Sequence, residues 1–87
     1  MATQGQRIEA NCKIVWGSYC DYDLEVDTDE YEHYWGWVRR DFGDSMGPLL
    51  LGTGPWRSED ATWDALDKML GAEANAVVAK RQRQEKK

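Results

Sequence analysis

Acidic residues recur at nearly every second position from residue 21 to residue 32, and this spacing could bind a cation. They occupy positions 1, 3, 5, 7, 9 and 12 of a twelve-residue stretch, which are the oxygen-ligand positions of a helix–loop–helix calcium site. The six are Asp21, Asp23, Glu25, Asp27, Asp29 and Glu32. Such a loop turns sharply on a glycine at position 6, where this chain has Val26. The flanking segments also alternate like strands, so we predict no metal site and keep the six acids only as a weak candidate.

Aromatic residues provide a second chemical pattern, suited to binding rather than to catalysis. Side chains alternate along a strand with period two, so one face of a strand here would hold Tyr31, His33, Trp35 and Trp37. The preceding strand would place acids towards water, and these are Asp21, Asp23, Glu25 and Asp27. Aromatic rings beside carboxylates favour the apolar and cationic side chains of a peptide. The alternative is that the two indoles are core, packed beneath a helix against Trp16, Trp63 and Leu66.

Catalytic chemistry has little support. His33 is the only histidine, which excludes a site with two histidine ligands. A histidine base also needs a nucleophile and an orienting group, and its neighbours Glu32 and Tyr34 point to the opposite strand face. We therefore predict a protein that is not an enzyme and has no cofactor.

Charge is distributed unevenly along the 87 residues. Residues 1–79 hold 6 of the 11 basic and 15 of the 16 acidic residues, a net charge of −9, whereas residues 80–87 carry +4. An acidic body repels nucleic acid and anionic membranes, so a polyanion would have to engage the basic tail or Arg39 and Arg40. The charge favours a basic protein or peptide partner instead.

The cysteine count and the hydropathy of the chain indicate the cellular environment of the protein. Cys12 and Cys20 are too few for a disulfide scaffold, so we expect two reduced, partly buried thiols. No apolar run is long enough to cross a bilayer and no signal peptide is apparent. If the chain is complete, these features predict a protein that is cytoplasmic or otherwise intracellular.

Period-two alternation predicts the strands that must position these residues. The predicted strands are Ile8–Trp16, Tyr19–Thr28, Tyr31–Phe42 and a short one at Pro48–Leu51, with Gly52–Trp56 as a loop. A helix capped by Ser58 follows, and its apolar stripe is formed by Trp63, Leu66 and Leu70. Gly71 could end this helix or be tolerated within it.

These elements predict an α+β fold, in which a three- to four-stranded antiparallel meander packs in two layers against one C-terminal helix. Residues 1–7 would be a disordered arm, residues 8–79 a single domain and residues 80–87 a charged tail.

The order of three strands and a helix, with Gly52-Thr53-Gly54 and then Ser58, Ala61, Ala65 and Leu66, loosely resembles the second half of a double-stranded-RNA-binding domain. No first helix fits into residues 1–7, and the lysines that this family has at the start of its last helix are replaced by Ser58, Glu59 and Asp60. The resemblance therefore implies a topology and no RNA binding.

The sequence thus predicts a non-enzymatic protein-interaction module whose acidic and aromatic sheet face binds a basic or apolar-basic segment. Carbohydrate or small-ligand binding by the aromatic row is the first alternative, and nucleic-acid binding through Arg39, Arg40 and the tail is the second. An exposed aromatic face could also form a homodimer interface.

Overall fold

The computed structural model describes residues 2–85, which form a helix, three strands and a second helix. The elements are α1 (Gln4–Trp16), β1 (Asp21–Thr28), β2 (Tyr34–Asp41), β3 (Met46–Trp56) and α2 (Glu59–Glu85). The strands pair antiparallel in the order β1-β2-β3. The predicted α+β class and antiparallel meander are confirmed, but there are two helices where the sequence predicted one.

The first element is α1, so the strand predicted over Ile8–Trp16 was wrong. A capping box starts the helix: Gln6 N donates to Thr3 Oγ1 at 3.2 Å, and Thr3 N donates to Gln6 Oε1 at 2.9 Å. Ile8 and Cys12 are fully buried. With Trp16 they are spaced by four, an interval that is even and also close to one helical turn, so the same residues fit both periods.

The helices extend across both predicted domain boundaries. Helix α1 begins at Gln4, within the segment predicted as a disordered arm, and α2 continues to Glu85, within the predicted tail. Gly71 lies inside α2, where an added Cβ would meet no atom within 4 Å. Met1 and residues 86–87, which also belong to the predicted arm and tail, lie outside the described residues.

Strand β3 is longer than predicted, because Gly52–Trp56 continues the strand instead of forming a loop. Gly52 pairs with Trp37 and Thr53 pairs with Gly36, and the strand continues through Gly54. The two glycines that suggested a loop, Gly52 and Gly54, are therefore sheet residues. Strand β2, in contrast, starts three residues later than predicted, at Tyr34.

Both helices pack on the same face of the sheet. The buried cluster joins residues from all elements except β3: Ile8, Cys12, Tyr22, Val38, Leu66 and Leu70. Leu50 and Leu51 of β3 pack against it with partial exposure. Since Tyr22 and Val38 point towards the helices, the odd-numbered residues of β1 and β2 point away from them.

The thiols of Cys12 and Cys20 are both free, the first buried and the second partly buried. Burial raises the pKa of Cys12 to about 12, so this thiol is protonated at neutral pH. Between residues 2 and 85, neither helix has the length and apolarity that crossing a membrane requires.

Candidate functional site

The sheet face opposite the helices, which we call the open face, brings the predicted acids and indoles together. Strand β1 contributes Asp21, Asp23, Glu25 and Asp27 to it, and β2 contributes Trp35, Trp37, Arg39 and Asp41. The register places Glu25 opposite Trp37 and Asp27 opposite Trp35. The alternative in which both indoles pack beneath a helix was therefore wrong.

Each indole of the open face is oriented by a carboxylate. Trp37 Nε1 donates to Glu25 Oε2 at 2.7 Å, and Trp35 Nε1 donates to Asp29 Oδ2 at 2.9 Å. Trp35 remains 39 % exposed. These charge-assisted bonds fix the rings and place negative charge at their edges, which suits them to receive a cation.

A groove of about 390 Å³ runs along the open face between β2 and β3. We call it the indole groove; its lining residues are Trp35, Gly36, Trp37, Arg39, Leu49, Gly52, Thr53 and Gly54. The indole of Trp35 lies directly over Gly54, since a Cβ there would be 2.6 Å from Trp35 Cε3. Over Gly52, the one atom of residues 2–85 that a Cβ would meet is Gly36 O, at 3.9 Å. The absent side chain of Gly52 therefore opens a passage from the edge of β3 towards Trp37.

The open face is negative. On β1 and β2 it carries one guanidinium, Arg39, and five carboxylates: Asp21, Asp23, Glu25, Asp27 and Asp41. Burial, and then the neighbouring charge of Glu25, raises the pKa of Asp23. Asp23 Oδ2 is buried without a hydrogen-bond partner among residues 2–85. A cationic group arriving here would relieve like-charge repulsion and supply a missing donor.

The turn between β1 and β2 is organised by Asp29. Its Oδ1 accepts from Tyr31 N at 2.9 Å and from His33 N at 3.0 Å, and its own N donates to His33 O at 2.9 Å. Tyr31 and His33 therefore lie in this turn, so their predicted place in the strand with Trp35 was wrong. Both are exposed, and their ring centroids are 6.5 Å apart.

The hydrogen bonds to Asp29 predict a specific pH dependence. The bond from Trp35, followed by that from the His33 backbone, lowers the pKa of Asp29 below its ordinary value of 3.8. Because the pKa is lowered, the ionised Asp29 carboxylate stabilises the folded state fully above the ordinary pKa, and this stabilisation is lost as the pH falls through the lowered pKa. We expect the Trp35 Nε1–H signal in NMR spectra to titrate below pH 3.8, and a midpoint above that value would contradict this. The Trp56 indole signal is the control, because Trp56 Nε1 donates to the hydroxyl of Thr53 at 3.0 Å and not to a carboxylate.

The six candidate calcium ligands do not converge. Residues 21–28 form an extended strand, which sends its acids along one face rather than around a centre. Across residues 2–85, no three His, Cys, Asp or Glu side chains are placed to hold a metal ion.

The two arginines proposed for polyanion binding lie on opposite faces of β2. Arg39 lines the indole groove, whereas the Arg40 guanidinium lies 5.2 Å from the ring centroid of Tyr19 and donates to the Tyr19 hydroxyl. They do not form one patch.

Helix α1 adds the first helix that the resemblance to a double-stranded-RNA-binding domain lacked. Helix α2 nevertheless begins with Glu59 and Asp60, capped by Ser58 Oγ, which accepts from Ala61 N at 3.1 Å. The resemblance is therefore limited to the order of helices and strands, because α2 does not begin with the lysines of that family.

Sequence reasoning missed the groove wall formed by Leu49, Gly52 and Gly54, because the glycines were assigned to a loop. The available signal was that no residue from Met46 to Trp56 is charged. An uncharged run of this kind is typical of a continuous sheet strand. No protein-family model, curated protein or solved structure matches the chain.

Proposed function

We propose that this domain is a non-enzymatic protein-interaction module whose open face binds a basic or apolar-basic segment of a partner protein. The observation that carries the proposal is the pair Trp35 and Trp37, held by Asp29 and Glu25 beside a groove in a strongly acidic face.

Two properties of the face select such a segment. A lysine or arginine on this face can lie over the ring of an indole and close to a carboxylate at the same time, and both attractions are strongest at short range. The indole rings and Leu49 offer apolar surface to the methylene stems of those cations and to aliphatic neighbours. The uneven balance of five carboxylates and one guanidinium disfavours acidic segments and nucleic acid.

The test measures binding of a fluorescein-labelled octapeptide in which lysine or arginine alternates with valine, threonine or leucine. We expect the double variant Trp35→Ala/Trp37→Ala to raise Kd by at least about tenfold, roughly 1.4 kcal/mol. Trp56→Ala is the matched control, because Trp56 is also 39 % exposed but lies outside the groove lining. Its Kd should equal that of the wild type.

Ionic strength separates this proposal from carbohydrate binding by the same indoles. Going from about 0.05 M to about 0.5 M salt should weaken the cationic peptide severalfold, whereas stacking on a neutral sugar would hardly change. A wild type that retains no cationic peptide, or a folded double variant that binds as well as the wild type, would remove the proposal.

A further inference from the structure

We infer that the partner segment binds in extended form, as a fourth strand along the free edge of β3, with a lysine or arginine reaching over Gly52 to the ring of Trp37. This inference rests on the proposed function and specifies how the open face is engaged.

The two edges of the sheet differ in their fitness for strand addition. With the order β1-β2-β3, both β1 and β3 are edges. Strand β1 carries an acid at every second position from Asp21 to Asp27, whereas the eleven residues of β3 include no charged side chain. Charged side chains are a common protection against edge pairing, and β3 lacks the charged side chains that β1 has.

Two prolines define the part of β3 that can pair. Pro48 and Pro55 have no N–H to donate, so they bracket the run Leu49–Gly54. The same run supplies the β3 wall of the indole groove. A strand paired there would thus lie beside the groove, with alternate side chains on the open face.

The passage over Gly52 explains why such a strand would carry a cation. Neighbouring strands are about 4.8 Å apart, so an added strand lies about 9.6 Å from β2. A long basic side chain opposite Gly52 can cross that distance over β3 because Gly52 itself has no side chain to block it. It arrives within the roughly 6 Å at which a cation interacts with an indole ring, beside the Glu25 carboxylate that accepts from Trp37 Nε1.

The neighbouring positions of the added strand meet apolar groups. Leu49 is 54 % exposed on one side of Gly52, and on the other side the indole of Trp35 covers Gly54. A segment with a cation opposite Gly52 and further lysine or arginine residues two positions before and after it fits both surfaces, because the methylene stems of those side chains cover Leu49 and the indole of Trp35.

The test uses the same alternating octapeptide with amide hydrogen exchange and the variant Gly52→Val. The peptide should slow the exchange of alternate amides within Leu49–Gly54, and Gly52→Val should raise Kd by at least about tenfold. The space above Gly52 is open, so this variant should unfold at the wild-type denaturant concentration.

The outcomes separate this inference from the proposed function. A peptide that binds and depends on Trp35 and Trp37, yet protects no β3 amide and tolerates Gly52→Val, would leave the proposed function standing and overturn strand addition. A peptide that does not bind the wild type would remove both. Edge amides protected without peptide, together with a dimeric mass, would show that a second copy occupies the edge and would also overturn the inference.

Discussion

Replacing Leu66 with alanine should lower the free energy of unfolding by about 3 kcal/mol, within the usual range for a buried leucine. Leu66 is fully buried, and it packs with Ile8, Val38 and Leu70, where both helices meet the sheet. A domain of this size has a total stability of only about 5–15 kcal/mol, so the loss should be plain in urea denaturation followed by circular dichroism.

Leu49→Ala is the matched control, because the same atoms are removed from a side chain that is 54 % exposed on the open face. It should change the free energy of unfolding by no more than about 0.5 kcal/mol. Equal losses at the two positions would contradict the assignment of one face to the core and the other to solvent.

Gly36→Val should cost about 2 to 3 kcal/mol, because it forces apart the sheet and α2. A Cβ at this position would lie 2.8 Å from Thr62 Cγ2 and 3.0 Å from Leu66 Cδ1. Both side chains are fully buried, and Thr62 Oγ1 donates to Ser58 O at 2.8 Å, so neither has room to move. The effect is measured as a lower denaturation midpoint at an unchanged slope.

Gly52→Val provides the comparison, since it makes the same substitution on the neighbouring strand but on the open face. Within the described part of the chain, Gly36 O is the one atom closer than 4 Å to the added Cβ, and β-branched residues suit strands. We expect its stability to equal or slightly exceed that of the wild type. A loss as large as that of Gly36→Val would contradict the assignment of Gly52 to the uncovered face of the sheet.

The period-two alternation of side chains was sufficient to predict β1 and β2 and to place the acids beside the indoles. Asp23, Glu25 and Asp27 share a face because strand periodicity places them there, and the short connection to β2 brings Trp35 and Trp37 beside them. Which face the helices would cover was not encoded locally. That choice depends on residues distant in sequence, such as the contact of Leu66 with Gly36, and the sequence alone left it open.

The mistaken elements have equally specific causes. Ile8, Cys12 and Trp16 satisfy the strand and the helix period together, and the capping box of Thr3 and Gln6 was the signal that would have favoured the helix. Gly52 and Gly54 suggested a loop, although in this sheet they leave room for the indole groove.

The turn that contains Tyr31 and His33 depends on three hydrogen bonds of Asp29: its carboxylate accepts from Tyr31 N and His33 N, and its own N donates to His33 O. An aspartate that accepts from the backbone of following residues is common in turns, but its partners are visible only once the chain is folded.

NMR titration of the five indole Nε1–H signals with the alternating cationic octapeptide is the most direct test of whether Trp35 and Trp37 form the binding face. We expect the signals of Trp35 and Trp37 to shift with a common Kd, while that of Trp16, on the helix side, stays in place. An otherwise identical peptide with glutamate in place of each cation should move none of them. Shifts confined to Trp16 would show that the open face does not bind the peptide, and equal shifts with the acidic peptide would show that the face does not select cations.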